Sequence, residues 1–119
     1  MTRSRLRRTA AIVFWPVLLL VVWGELAPHP PHIELETSDK LLHFLTYFGL
    51  AAILAAALGS GRALVCAVAG LVALGGALEI LQGFVGRDAE WLDEAANILG
   101  AVAGAILGLV ALRLLRPRD

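Results

Sequence analysis

The chain has 119 residues, of which 59% are hydrophobic and only 17% are charged, and its formal net charge is zero. With a mean hydropathy of +0.79, it has too few polar side chains to cover the surface of a small water-soluble domain. The composition therefore excludes a small soluble domain and indicates an integral membrane protein.

Four apolar segments are long enough to cross a membrane, because about 20 helical residues rising about 1.5 Å each span a hydrocarbon core of roughly 30 Å. We predict helices over residues 10–26, 41–58, 63–85 and 95–115, which form a single all-α transmembrane domain over residues 1–119. The first segment follows a basic start, as in a signal peptide, but no small-x-small cleavage motif follows it. We therefore predict that it is retained as the first helix.

Basic residues collect at both termini and in the connection between the second and third helices. An alternating four-helix topology places these three regions on one side, which the positive-inside rule identifies as the cytoplasm. The arginines concerned are Arg3, Arg5, Arg7, Arg8, Arg62, Arg113, Arg116 and Arg118. We predict a multi-pass protein of the bacterial inner membrane with both termini cytoplasmic. Its amino-terminal arginines would contact membrane lipids, and we predict no nucleic-acid partner.

The second helix begins with a polar face. Spacings of three and four residues place on or near that face the side chains of Asp39, Lys40, His43 and Tyr47. Thr37 or Ser38 is the predicted N-cap, so that Asp39 in the first turn would complement the helix dipole. Capping does not explain His43 or Tyr47, which lie deeper. Ionisable groups beside a long apolar run are costly unless they are paired, so partners are expected elsewhere in the chain.

The third and fourth helices carry further polar residues near their outer ends. Glu79 and Gln82 lie near the end of the third helix, which a tight Gly-Ser-Gly-Arg turn makes an antiparallel neighbour of the second. Asp93 and Asn97 lie four residues apart at the start of the fourth helix. Arg87 belongs to the short charged connection between these helices. All these residues therefore fall at the depth of the polar face of the second helix.

A stripe of glycines continues along the fourth helix at steps of four: Gly100, Gly104 and Gly108. Small residues at this spacing let another helix approach closely. The stripe is predicted to direct Asp93 and Asn97 towards the bundle interior or towards a second subunit. A homodimer through this stripe is one predicted partner arrangement.

The polar motifs occur in a specific order and spacing: Asp39-Lys40-x-x-His43-Phe44-x-x-Tyr47, Glu79-x-x-Gln82, Arg87, and Asp93-x-x-x-Asn97-x-x-Gly100-x-x-x-Gly104. This pattern resembles the VanZ-like family of small bacterial membrane proteins, named for a member associated with teicoplanin resistance. The likeness covers roughly residues 39–108. It implies a cell-envelope protein and a possible link to glycopeptide resistance, but no defined molecular activity.

The favoured role is an outward-facing pocket for an amphiphilic envelope component. Candidates are a lipid-linked cell-wall intermediate, an anionic lipid and a glycopeptide antibiotic. The predicted ligand-binding residues are Asp39, Lys40, His43, Tyr47, Glu79, Gln82, Arg87, Asp93 and Asn97. Cationic side chains would contact phosphate or carboxylate, and phenol and amide groups would supply hydrogen bonds.

Two alternatives remain. The polar groups could form a purely structural clasp that pairs acids with bases and holds the helices in register. Alternatively, a membrane-embedded hydrolase could use His43 as general base with Glu79 as its orienting group, or hold a divalent metal through His43, Glu79 and Asp93. An enzyme is the less favoured interpretation, and we predict no metal and no other cofactor. The histidines and glutamates in the connection at residues 27–38 are not predicted to bind a metal, because its prolines keep that connection extended.

Overall fold

A computed structural model of the chain describes residues 1–27, 36–86 and 89–115, with residues 36–38 as backbone only. This part of the chain forms helices α1 (Arg3–Leu26), α2 (Glu36–Leu58), α3 (Arg62–Phe84) and α4 (Trp91–Leu115). The four predicted helices are thus confirmed. Each contains a stretch that is long and apolar enough to cross a membrane.

All four helices begin earlier than predicted, because the apolar window marks the membrane-crossing stretch and not the helix end. The first starts at Arg3 and includes the basic amino-terminal run, with the Thr2 hydroxyl accepting a bond from the amide of Arg5 at 3.3 Å. The predicted N-cap of α2 at Thr37 or Ser38 is wrong, because both residues lie inside a helix that begins at Glu36.

The central element is α2, which contacts each of the other three helices and packs most extensively against α4. Within the described residues, α1 and α4 do not contact each other. The buried apolar core consists mainly of α2 side chains, namely Tyr47, Leu50, Ala51, Leu54 and Ala55. Polar residues on α2 are therefore placed to meet groups from every other helix.

The glycine stripe of α4 packs against α2 of the same chain. A methyl group at Gly100 would lie 2.9 Å from the backbone carbonyl carbon of Phe44, and one at Gly104 would lie 2.8 Å from that of Phe48. The stripe therefore faces the bundle interior, the first of its two predicted directions. Association of two copies stays a prediction.

The helices alternate in direction, so the bundle has two chemically different ends. At the end that we call the basic end, Arg7 donates to the carbonyl oxygens of Ala57 (3.0 Å) and Leu58 (3.1 Å), the last residues of α2. The adjoining turn into α3 needs glycine, because Gly59 and Gly61 have φ values of 73° and 131°. The opposite end, called the polar end, carries the predicted site.

Candidate functional site

Polar side chains from all four helices meet at the polar end and form what we call the polar cluster. Its members are Glu25, Asp39, Lys40, His43, Tyr47, Glu79, Gln82, Glu90, Asp93, Glu94 and Asn97. The cluster contains eight of the nine residues predicted to bind a ligand; the ninth, Arg87, lies outside the described residues. The structure thus brings together residues that are far apart in sequence, while their ligand-binding role stays a prediction.

His43 lies at the centre of the polar cluster and is 7% exposed. Its Nδ1 donates to the side-chain oxygen of Asn97 at 3.0 Å and also lies 3.6 Å from a carboxylate oxygen of Glu25. On the other side of the ring, Nε2 lies 3.6 Å from Asp93 Oδ2 and 3.9 Å from Asp39 Oδ1. The imidazole therefore connects groups from α1, α2 and α4.

Lys40 lies at the outer edge of the polar cluster. Its ammonium group donates to Glu90 Oε2 at 2.8 Å and lies 3.8 Å from Asp93 Oδ1. The Lys40 and Glu90 side chains are 39% and 51% exposed, so water screens their ion pair strongly. The pair therefore contributes little to stability, and Lys40 stays accessible from the polar end.

Glu25 joins the end of α1 to the polar cluster. The Tyr47 hydroxyl donates to Glu25 Oε2 at 3.4 Å, and the Gln82 amide donates to the Glu25 backbone carbonyl at 2.9 Å. With its side chain 12% exposed, Glu25 is a member of the polar cluster and not a solvated helix end.

Two further contacts involve Glu90 and Glu94, which were not predicted to belong to the site. The Asn97 side-chain amide donates to Glu94 Oε2 at 3.2 Å, and the Glu90 backbone amide donates to Glu79 Oε1 at 2.7 Å. The three-residue spacing from Glu94 to Asn97 was a usable signal for the first contact, because such a pair shares a helix face. The sequence carried no comparable signal for Glu90.

A glycine pair in α3 makes room for the polar cluster. A methyl group at Gly75 would lie 3.0 Å from the Asn97 amide nitrogen and 3.0 Å from the Tyr47 hydroxyl, and one at Gly76 would lie 3.7 Å from the Glu94 carboxylate. Gly75 therefore lets a buried tyrosine and a buried asparagine come close to the backbone of α3. These two glycines were not predicted to belong to the site.

Asp93 has the most unusual environment in the polar cluster. The residue is 2% exposed, and its Oδ1 is the only buried side-chain oxygen or nitrogen among the described residues that lacks a hydrogen-bond partner. Buried polar atoms normally have partners. Donor atoms of Asp39, His43 and Asp93 all lie within 4.8 Å of one another, a spacing that can accommodate a metal ion.

The catalytic pair required by the hydrolase alternative is not formed. Glu79 bonds to the Glu90 amide and is not among the groups in contact with His43 in the described part of the chain. Asp39 takes the place of Glu79 in the candidate metal-ligating set. The histidines at positions 29 and 32 lie outside the described residues.

Carboxyl groups outnumber cationic side chains in the polar cluster. The acids Glu25, Asp39, Glu79, Glu90, Asp93 and Glu94 are accompanied, among the described residues, by Lys40 and His43. This balance differs from the sequence-based expectation of a site for phosphate or carboxylate, because these residues favour a positively charged partner.

An apolar groove of about 460 Å³ opens on a different part of the bundle, between α1, α2 and α3. Its lining consists of Ala11, Phe14, Trp15, Leu18, Leu54, Ala57, Leu58, Ala67, Gly70, Leu71 and Leu74. No member of the polar cluster lines this groove, so the two features are chemically separate.

No protein-family model matches the chain, and neither a curated protein nor a solved structure is significantly similar to it. The resemblance to the VanZ-like family therefore stays a prediction from the motifs.

Proposed function

We propose that the chain is a multi-pass protein of the bacterial inner membrane, with the polar end facing outward and both termini cytoplasmic. Four helices long and apolar enough to cross a membrane support insertion, as do large exposed apolar side chains such as Leu19, Val65 and Ile106. The arginines at the basic end support the orientation through the positive-inside rule.

The polar cluster binds, in this proposal, the polar head group of an amphiphilic envelope component. The observations that carry the proposal are the convergence of polar groups from four helices at the polar end and the buried Asp93 Oδ1, which lacks a hydrogen-bond partner among the described residues. A cluster that served only to join helices would be expected to satisfy its buried groups internally. The motif resemblance to the VanZ-like family favours the same envelope setting.

The charge of the polar cluster, counted over the described residues, supports one class of head group. A phosphate or carboxylate placed beside Asp39 and Asp93 would be repelled unless a cation lay between them. An amino group would be attracted directly. We therefore propose a head group that carries an amine, and an anionic lipid is the competing ligand that the test must include.

The direct test is native mass spectrometry of the purified chain with defined lipids and EDTA present. We expect phosphatidylethanolamine to remain bound more strongly than phosphatidylglycerol, and Asp93→Asn to remove this preference while the protein stays helical. Arg62→Gln changes one charge at the basic end and serves as the control that retains the preference. A stronger adduct with phosphatidylglycerol, or an equal loss in both variants, would contradict the proposed head group.

The structural clasp is a second candidate, supported by the internal pairs that the polar cluster does contain. Lys40 binds Glu90, and Asn97 binds both His43 and Glu94. If these pairs only hold the bundle together, Asp93→Asn should change the unfolding temperature in detergent and leave lipid retention unchanged. Measuring both quantities on the same samples therefore separates a clasp from a binding site.

A further inference from the structure

Three potential metal ligands converge on one point of the polar cluster. His43 Nε2 lies 3.6 Å from Asp93 Oδ2 and 3.9 Å from Asp39 Oδ1, and the donor atoms of the three residues lie within 4.8 Å of one another. In a tetrahedral zinc site with bonds of about 2.0–2.2 Å, neighbouring ligand atoms are roughly 3.4 Å apart. If the two contacts with His43 Nε2 shortened by a few tenths of an ångström, they would match this spacing.

The hydrogen bonds around His43 prepare Nε2 for this role. Because Nδ1 donates to the Asn97 oxygen, the neutral ring carries its lone pair on Nε2, which faces the two aspartates. Asn97 is fully buried, and its own amide group donates to Glu94, which fixes the direction of its oxygen. Metal-binding histidines generally donate their second ring N–H to such an acceptor, and that bond fixes the tautomer.

Asp93 supplies an independent observation that points to a ligand. Asp93 Oδ1 lacks a hydrogen-bond partner among the described residues, and the Lys40 ammonium lies 3.8 Å from it, too far for a hydrogen bond. The residue is only 2% exposed, so solvent does not supply the missing bond to this oxygen. A metal ion bound by the Asp93 carboxylate would supply the partner that this buried group lacks.

We propose that Asp39, His43 and Asp93 bind a divalent transition-metal ion of the zinc type. An imidazole ligand favours zinc and similar ions over magnesium and calcium, which prefer oxygen ligands. The side chain of Asp39 is 51% exposed, so an ion can enter from the polar end and keep a coordination position open there. The ion and an amine head group would use the same carboxylates, Asp39 and Asp93, so they are alternative occupants of the polar cluster.

The test is a zinc titration of the full-length protein, purified in detergent, stripped with EDTA and freed of the chelator. In competition with a chromophoric chelator, we expect one zinc ion per chain. Asp93→Asn, His43→Gln and Asp39→Asn should each weaken zinc binding by about tenfold or more. Cys66→Ser is the control, because Cys66 is an exposed thiol of α3 outside the polar cluster, and zinc affinity should stay within about twofold.

Two additional samples locate the zinc ion within the chain. A variant in which His29 and His32 are both replaced by glutamine should retain the zinc ion, which excludes binding by the loop histidines. In the unaltered chain, zinc should shift the ¹⁵N resonance of Nε2 of His43 more than that of Nδ1, a readout that does not require a folded variant. Magnesium or calcium at the same concentration should not produce this shift.

Several outcomes would overturn the proposal. They are the absence of stoichiometric zinc binding by the unaltered chain, unchanged affinity in His43→Gln and Asp93→Asn, and an equal loss of affinity in Cys66→Ser. Zinc binding that disappears only when His29 and His32 are replaced would also overturn it. Because this titration contains no lipid and the lipid experiment contains EDTA, failure of one proposal is distinguishable from failure of the other.

Discussion

Replacing Gly104 by alanine should force α4 away from α2 and lower the free energy of unfolding. The added methyl carbon would lie 2.8 Å from both the carbonyl carbon and the Cα of Phe48, so the obstacle is backbone and no side-chain rotation relieves it. Overpacking of this kind costs about 1–3 kcal/mol. Alanine is otherwise the better helix former by about 0.5–1 kcal/mol, which offsets part of the cost.

Gly49→Ala is the matched control, because nothing lies within 4 Å of the added methyl carbon there. Unfolding of both variants in mixed detergent, followed by circular dichroism, gives the comparison. We expect Gly104→Ala to be the less stable by roughly 1–3 kcal/mol, while Gly49→Ala equals or exceeds the original chain. Equal stabilities would show that α4 does not approach α2 through this glycine, and the placement of Asp93 and Asn97 would lose its structural basis.

Two further substitutions test the packing, one at the polar end and one at the basic end. Gly75→Ala should lower the free energy of unfolding by about 1 kcal/mol, because its methyl group would lie 3.0 Å from two buried side chains of the polar cluster and the higher helix propensity of alanine offsets only part of this overpacking. Gly70→Ala, with open space around the methyl group, should not destabilise the protein, and equal thermal shifts for the two variants would contradict the packing. At the basic end, Arg7→Ala removes two bonds to the carbonyl end of α2 and should lower the free energy of unfolding slightly, by at most about 1 kcal/mol. Arg8→Ala is its control, and a larger effect of Arg8 in a denaturant titration would refute the assigned contact.

The helices could be predicted from sequence because each apolar run is long and bounded by charged or glycine-rich connections. The convergence of polar residues followed from two further constraints, a tight turn between α2 and α3 and a short connection between α3 and α4. These turns require antiparallel neighbours, so residues near alternate helix ends must share one end of the bundle. Asp39, Glu79 and Asn97 were therefore predicted to lie at the same depth.

The partners within the polar cluster could not be predicted in the same way. Helices that are apolar on all sides give no signal for their rotation about the axis, so the inward direction of Glu25 was not visible in the sequence. The central position of α2 in the bundle could not be predicted from sequence for the same reason. As a result, the sequence did not reveal that the partners of His43 are Asn97 and Asp93. The hydrolase alternative required Glu79 instead.

The most direct test of the polar cluster is the energetic coupling between His43 and Asn97, which come from different helices and share a 3.0 Å hydrogen bond. A double-mutant cycle with His43→Ala, Asn97→Ala and the double variant, unfolded in detergent with EDTA present, measures this coupling. A buried bond of this kind predicts a coupling energy of about 1–3 kcal/mol. Effects that add to within about 0.5 kcal/mol would mean that the two side chains do not meet and that the polar cluster does not form.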